Sequence, residues 1–544
     1  MKHLVLAAAI CMPQLALAEG EEESSPVDNA ISIMLLGSIG FQMSLFYLVN
    51  WRDEDIKRTA WQVISSCISI FVAVLLFQGF NEVVEEYVIE GGSETWEVGI
   101  DVCQLMFWLC SMQLTLAITS GAINELWGGE SPQMETVEVN VKSLAKLLSH
   151  VTGFSAINAF GSIQQAFLSS SPVLAVLIVP FGFAAMTALF QIFDHVRERV
   201  SLSDDHAIDE YELKWDEETE ESENDVAGLS LSFLTVQALR FAIGGTLPNV
   251  EGVESPATAQ THGFDHWGTL LMFGFVSGIS GIVVVRHEHF FGEPGHKTKR
   301  FWNIAGDYCS FGSAWCCFYA AMWAFRYSAL GNQQAMLHVV IALFVSGVTF
   351  VFVFVADWVM DHNLLGENAD AAHEVIDIFI EAFCVLVGFS WEQSFDTAVV
   401  DVANSLKDHL PPAVVKLGMS LILVAVVFPA WRYFILPKEL ELAEQASEEG
   451  QRLLRLKSAA MQHYKLMVEE ETDDHILDRA HLKMKQERWH CHRAHKQNTA
   501  APDGLVHLQV SSMGIHEVDY PRAAHTGKTR TKHLKKASTI NLLA

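Results

Sequence analysis

Long uncharged apolar blocks, separated by short polar segments, recur along the chain as far as about residue 436. A block of about 18 or more apolar residues is long enough to cross a bilayer as a helix. The pattern predicts eleven such helices, at 30–51, 61–84, 96–124, 143–170, 173–193, 227–247, 266–286, 302–325, 334–358, 372–402 and 412–436. Two of them are unusually polar. The fourth holds Lys146 and His150, and the sixth holds Arg240.

Ahead of the first block, Lys2 and His3 precede the apolar run Leu4–Ala18, which ends Ala16-Leu17-Ala18 before Glu19. A charged start, a short apolar stretch and small residues at the end make a secretory signal peptide. The run is short for a span and contains Pro13. Cleavage leaves the mature N-terminus outside. An odd number of spans then puts the C-terminus in the cytosol. Basic residues test that orientation, because Lys and Arg accumulate in cytoplasmic loops. Segments placed inside hold Arg52, Lys57, Arg58, Lys142, Arg197, Arg199, Lys214, Arg286, Lys297, Lys299 and Arg300. Segments placed outside hold Arg326 and Lys407. The asymmetry agrees with eleven spans and with this orientation, and the signal peptide implies delivery through the secretory pathway to the plasma membrane or an endomembrane.

Two stretches read alike at an offset of 235: Gly153-Phe154-Ser155-Ala156-Ile157-Asn158-Ala159-Phe160 and Gly388-Phe389-Ser390-Trp391-Glu392-Gln393-Ser394-Phe395. A similar offset carries the first five spans onto the last five, bringing Trp61-Gln62-Val63 near Trp302-Asn303-Ile304 and Pro180 near Pro429. Six spans separate equivalents, so the two halves run the same way through the membrane, as in transporters with parallel repeats. The expected fold is therefore all-α and polytopic. A signal peptide at 1–18 and an acidic outer segment at 19–29 precede the first five-helix repeat at 30–193. An acidic cytosolic loop at 194–226 and a linker helix at 227–247 lead to the second repeat at 266–436. A cytosolic tail at 437–544 starts helical and ends disordered and basic.

Composition agrees with a membrane chain. Of 544 residues, 50% are hydrophobic and 18% charged, and the mean hydropathy is +0.24. Soluble domains carry about a quarter charged residues. The net charge of −30 is concentrated at Glu19–Glu23 and at Asp204–Asp225, the latter with twelve acids and one lysine. A run of this kind reads as a solvated segment. No basic folded surface indicates a nucleic-acid partner. The nine cysteines offer no disulfide framework on the outer loops.

Carboxylates inside the tenth span carry the most chemistry. Glu374, Asp377, Glu381, Glu392 and Asp396 are spaced 3, 4, 11 and 4 residues apart, which keeps them near one helical face. Ionisable groups in a bilayer are costly and usually face a polar route or a partner. Five acids in a stripe read as a path for a cation or proton, with Glu381 and Glu392, about 16 Å apart along the axis, as successive stations. At the offset of 235, Lys142 corresponds to Asp377 and Lys146 to Glu381, so these lysines are candidate charge partners. Arg240 and Asp307 form a second candidate pair. Asp101 and Asp357, close to span ends, read as interfacial, and His338 as a packing residue. Gly274, Ser277, Gly278 and Gly281 give the seventh span a small face for close packing.

The tail offers weaker signals. His490-Cys491-His492 and His495 match no zinc frame. The basic end, with Arg522, Lys528, Arg530, Lys532, Lys535 and Lys536, suits contact with anionic lipid. Signatures of P-loops, HExxH metalloenzymes and Gly-x-Ser-x-Gly hydrolases are missing. No cofactor is indicated. The expectation is an integral membrane transporter or channel for a cation or proton, not an enzyme. The alternative is a structural or scaffold membrane protein whose buried charges only fix helix packing.

Overall fold

The computed structural model describes residues 26–123, 133–202, 209–255, 258, 261–286, 296–326, 334–362 and 369–445. The signal-peptide segment, the His/Cys cluster and the basic end of the tail lie outside them. Among the described residues, regular structure is entirely helical. In chain order the helices are α1 (Pro26–Val49), α2 (Glu54–Val84), α3 (Glu94–Ser120), α4 (Met134–Leu168), α5 (Pro172–Val176), α6 (Ile178–Ser201), α7 (Glu210–Gly244), α8 (Phe264–Val285), α9 (His296–Arg326), α10 (Gln334–Asp361), α11 (Ala369–Leu406) and α12 (Pro412–Ala430).

Local chemistry sets several of these ends. Asp53 caps α2 by accepting from the Asp55 amide, and Ser93 caps α3 by accepting from the Trp96 amide. Gly121 and Gly245, in the left-handed region at φ 86° and 81°, close α3 and α7. Pro180 has no N–H for a carbonyl one turn back, and the chain breaks at Leu177 between α5 and α6. Pro429 sits inside α12, which continues through a wide turn at Trp431–Ile435.

Among the described residues, eight helical segments are long and apolar enough to cross a membrane. They cover α1, α2 with its extension to Ile89, α3, α5–α6, α7, α8, α10 and α12. Much of their apolar surface faces outward: Phe264, Met272, Phe275 and Ile422 are all exposed. Apolar exposure on this scale suits lipid, not water. The chain is an all-helical membrane protein. The remaining long helices, α4, α9 and α11, are 35, 31 and 38 residues long. They are more polar because they stand inside, with α4 packed on α2, α3 and α7, α9 on α7, α8 and α11, and α11 on α2, α10 and α12. The small face of α8 meets α9: Ser277 Oγ donates to the Cys309 carbonyl at 2.7 Å, and a Cβ on Gly274 would lie 2.9 Å from Cys316 Cβ.

The acidic stretch departs from the expected loop. α6 runs to Ser201, and from Glu210 the chain is one continuous helix to Gly244, so the linker helix starts well before 227. A reciprocal capping box joins Asp209 and Glu212, and Lys214 bridges Glu218 at 2.9 Å. One face of the stretch is buried through Trp215, Thr219, Ser222 and Glu223. The charge run is thus amphipathic, and arginines from neighbouring helices neutralise its inner side.

Candidate functional site

The five acids of the tenth predicted span all lie on α11, but they do not share one environment. Asp377 is exposed, while the Glu374 side chain lies outside the described residues. Glu381 and Glu392 sit in separate clusters, with buried apolar residues of α11 between them.

Around Glu381, four other helices bring charge. α7 supplies Glu221 and Asp225, α9 supplies Asp307, α4 supplies Lys146, and the helical continuation of α12 supplies Glu439. α7 and α9 touch here, since a Cβ on Gly228 would lie 2.7 Å from Asp307 Cβ. Asp225, Asp307 and Glu381 are within electrostatic reach of one another. Each is only partly buried, and none has an ion pair or side-chain hydrogen bond among the described residues. Lys146 is within reach of Glu381, but its Nζ donates to Glu439 Oε1 at 3.0 Å. Lys142, the other lysine aligned with the stripe, pairs instead with Glu138 one turn away at 3.3 Å. His150 packs beneath Lys146, its Nδ1 2.5 Å from the Lys146 carbonyl.

Glu392 is fully buried. Its Oε2 accepts from Gln78 Nε2 at 3.4 Å, and its Oε1 has no partner among the described residues. One turn on, Asp396 borders a cleft of about 10 Å³ with Gln78, Glu82 and Lys416, enough for about one water. Lys416 Nζ donates to Glu82. Asn158 of α4 donates to Asp101 Oδ1 at 3.0 Å, Ser162 also donates to Asp101, and Asn81 donates to Glu85 at 2.7 Å. Asp101, expected at the interface, is therefore buried and hydrogen-bonded.

The layer between the clusters is tight. On α11, Ala382 and Cys384 to Val387 are buried. The Phe389 ring stacks on Phe154 at 6.1 Å and meets Trp315 and Phe318 edge-on at 5.2 and 5.5 Å. Gly388 permits the approach of α2, because a Cβ there would lie 2.9 Å from the Cys67 carbonyl oxygen. Glu381 and Glu392, read from the helical stripe as successive stations, therefore stand in different surroundings. Buried apolar and aromatic side chains occupy α11 at the level between them.

Arg240 and Asp307 do not pair. Asp307 joins the Glu381 cluster, whereas Arg240 clamps the segment after α7. Its Nη1 donates to the Gly252 carbonyl at 2.8 Å, its Nη2 pairs with Glu254 at 2.5 Å, and its guanidinium lies 3.7 Å from the Tyr319 ring centroid. Gly252, at φ 80°, is needed here because a Cβ would fall 2.1 Å from Tyr319 Oη. Trp323 Nε1 also donates to Glu254, at 3.1 Å. His262 Nε2 lies 2.8 Å from the same carboxylate. A carboxylate only accepts, so this nitrogen carries the hydrogen. The segment held in this way carries Glu251 to the Glu392 cluster. Burial, then Asp396 and Glu82, push the Glu251 carboxyl above the ordinary range.

Glu254 behaves oppositely. Burial would raise its pKa, but the His262 hydrogen bond and the Arg240 charge outweigh it and hold the carboxyl below the ordinary value of 4.5. A group whose pKa is depressed in the fold adds stability that is present above the unfolded value and is lost as pH falls through the folded one. Amide hydrogen exchange across residues 245–255, corrected for intrinsic rates, is therefore expected to accelerate as pH falls below the ordinary carboxylate value of 4.5. Glu254→Gln should flatten that response. Unchanged protection down to pH 3 in the native protein would show that the clamp does not depend on this charge.

Sequence reasoning overlooked several members of these clusters. Lys416, inside an apolar block, was a legible signal, and Asp225 was visible only as part of an acidic run. Glu439 and Glu251 lie outside the predicted spans and carry no local mark. Elsewhere, His338 packs against Thr397, Nδ1 to Oγ1 3.1 Å. Among the described residues, only Asp53, Asp55 and Asp357 gather with metal-ligand spacing. Those carboxylates already have partners: Asp53 accepts from the Asp55 amide at 3.1 Å, Asp55 pairs with Arg58 at 3.3 Å, and Asp357 is engaged as well. Comparison with protein-family models, with characterised proteins and with solved structures found no match.

Proposed function

We propose that the chain is an eleven-span transporter or channel for a cation, with the proton as the favoured species. One observation carries the reading. Two groups of partly or fully buried carboxylates lie toward opposite ends of α11, with aromatic side chains, which this reading takes as a plug, at the level between them. In the Glu381 cluster, Asp225, Asp307 and Glu381 have Lys146 as a nearby cation, and Lys146 is already bonded to Glu439. Acids gathered in this way need bound protons or cations to balance them. A closed layer with a charged station on each side is the form of an occluded pathway.

Further features support the topology on which this depends. α4, α9 and α11 are each longer than the roughly 20 residues that a span needs. Alternating spans put Lys146, Glu381, Asp307, Asp225 and Glu439 near one membrane face, and those residues do gather. They put Gln78, Glu82, Asp101, Glu392 and Lys416 near the other, and those gather as well. The proposed duplication has similar support. Phe154 and Phe389, equivalent at the offset of 235, stack face to face at an interplanar angle of 8°. Lys146 and Glu381, equivalent at the same offset, are within electrostatic reach. Equivalent residues meet each other only close to a twofold axis, here one running between α4 and α11 along the membrane normal.

The scaffold reading draws on the pairs Lys146–Glu439 and Lys416–Glu82, which join distant parts of the chain and suit fixed packing. Flux decides between the readings. Purified protein in proteoliposomes, loaded with a pH-sensitive dye, is challenged in turn with proton, sodium, potassium and calcium gradients. The proposal expects movement of protons, or of one of these cations, above that of empty vesicles. No flux under any of the four would overturn it.

A further inference from the structure

A further feature lies beside the same continuation of α12 that carries Glu439. It is an open groove of about 700 Å³ where the end of α1, the start of α2 and the continuation of α12 meet. Leu45, Phe46 and Ile435 line it with apolar surface, and Trp61 stands in its wall. Lys57 and Lys438 line it as well. The volume falls within the roughly 300–1,000 Å³ of sites that hold a single small ligand.

We propose that this groove binds one glycerophospholipid with an anionic headgroup, its acyl chains against Leu45, Phe46 and Ile435 and its phosphate between Lys57 and Lys438. Three observations carry it. First, α1 is the loosest of the apolar helices, with Leu35, Leu36, Ile39, Met43, Phe46 and Tyr47 all exposed, so the groove opens sideways to the bilayer and not to a protein neighbour within the chain. Second, Lys57 lies in the first turn of α2, just past the end of α1, and Lys438 lies beside it on the continuation of α12; two ammonium groups so placed at a membrane surface would meet lipid phosphate. Third, the charges are available. Lys57 has no ion pair among the described residues, and Lys438 pairs at 2.7 Å only with Glu441, which is half-exposed and also within electrostatic reach of Lys57. An exposed pair of this kind is weak and exchanges readily for a phosphate. Tryptophan at the same level is the residue type favoured at membrane interfaces.

The test uses the full chain in detergent, titrated with phosphatidylglycerol or with phosphatidylcholine of the same acyl chains, and read by native mass spectrometry. The native protein is expected to retain one phosphatidylglycerol per chain, roughly tenfold more tightly than phosphatidylcholine. The double variant Lys57→Gln/Lys438→Gln should bind the two lipids alike, while eluting from size exclusion as the native protein does. Leu45→Trp, which fills the groove and leaves both lysines, should lose the bound lipid of either kind. Equal retention of the two lipids by the native protein would overturn the proposal. So would selectivity that survives in the double variant, or a bound lipid that Leu45→Trp leaves in place.

Discussion

Substituting Glu223 with Gln is expected to destabilise the protein by about 3–5 kcal/mol, the range for breaking a buried ion pair from one side. Glu223 is fully buried on α7, between two arginines from other helices. Its Oε1 takes Arg197 Nη1 of α6 at 3.0 Å and Gln113 Nε2 of α3 at 2.6 Å, and its Oε2 takes Arg300 Nη2 of α9. Four helices therefore converge on one carboxylate. A glutamine would turn an NH2 toward donors that need an acceptor, and the lost negative charge would leave Arg197, whose side chain is 4% exposed, with less compensation. Asp194 and Asp216 still reach Arg197, which keeps the loss within this range. Glu138→Gln is the comparison, because its pair with Lys142 is half-exposed and contributes no more than about 1 kcal/mol. Denaturant unfolding in detergent, followed by tryptophan fluorescence, measures both. If Glu223→Gln moves the midpoint no further than Glu138→Gln does, the network is not a stabilising junction.

That network also marks how far periodicity alone can reach. The apolar blocks made the helices legible, because lipid-facing and core-facing residues are both hydrophobic and only their length matters. α4, α9 and α11 fall short of the apolar threshold for the same reason that they matter: their polar residues turn inward, where other helices shield them from lipid. The run from Asp204 to Asp225 read as solvated because a count of charges is blind to partners. Arg197 and Arg300 are 26 and 77 residues from Glu223, and no local pattern announces their meeting. Arg240 was mispaired on the same account: its partner Glu254 is in a connecting segment that carries no periodicity. Spacing did bring the acids of α11 into view, but not that they stand in different surroundings. The aromatic cluster at Phe389 was not legible, since a phenylalanine in an apolar block looks the same whether it faces lipid or packs between helices.

Glu381 and Glu392 carry the second large effect. Under the transport reading, Glu381→Gln and Glu392→Gln are each expected to lower cation or proton flux by roughly tenfold or more, a factor equivalent to about 1.4 kcal/mol of lost ion binding. Glutamine keeps the shape and removes the charge. At Glu381 the change leaves Asp225 and Asp307 with one fewer acid beside them, so the cluster holds less cation or fewer protons. At Glu392 an amide could still meet Gln78, but the buried Oε1 position would no longer offer a proton-binding oxygen. The two sites stand on opposite sides of the Phe389 plug, so either loss alone interrupts passage. The scaffold reading expects a different pattern. Neither carboxylate forms an ion pair with a described lysine or arginine, so their removal leaves no buried cation bare, and stability should change little. Flux through each variant is compared in proteoliposomes with the protein content matched and unfolding measured in parallel. Native flux in well-folded Glu381→Gln and Glu392→Gln proteins would remove both residues from the pathway. Loss of flux with the fold intact would locate the route along α11, with one station on either side of the plug.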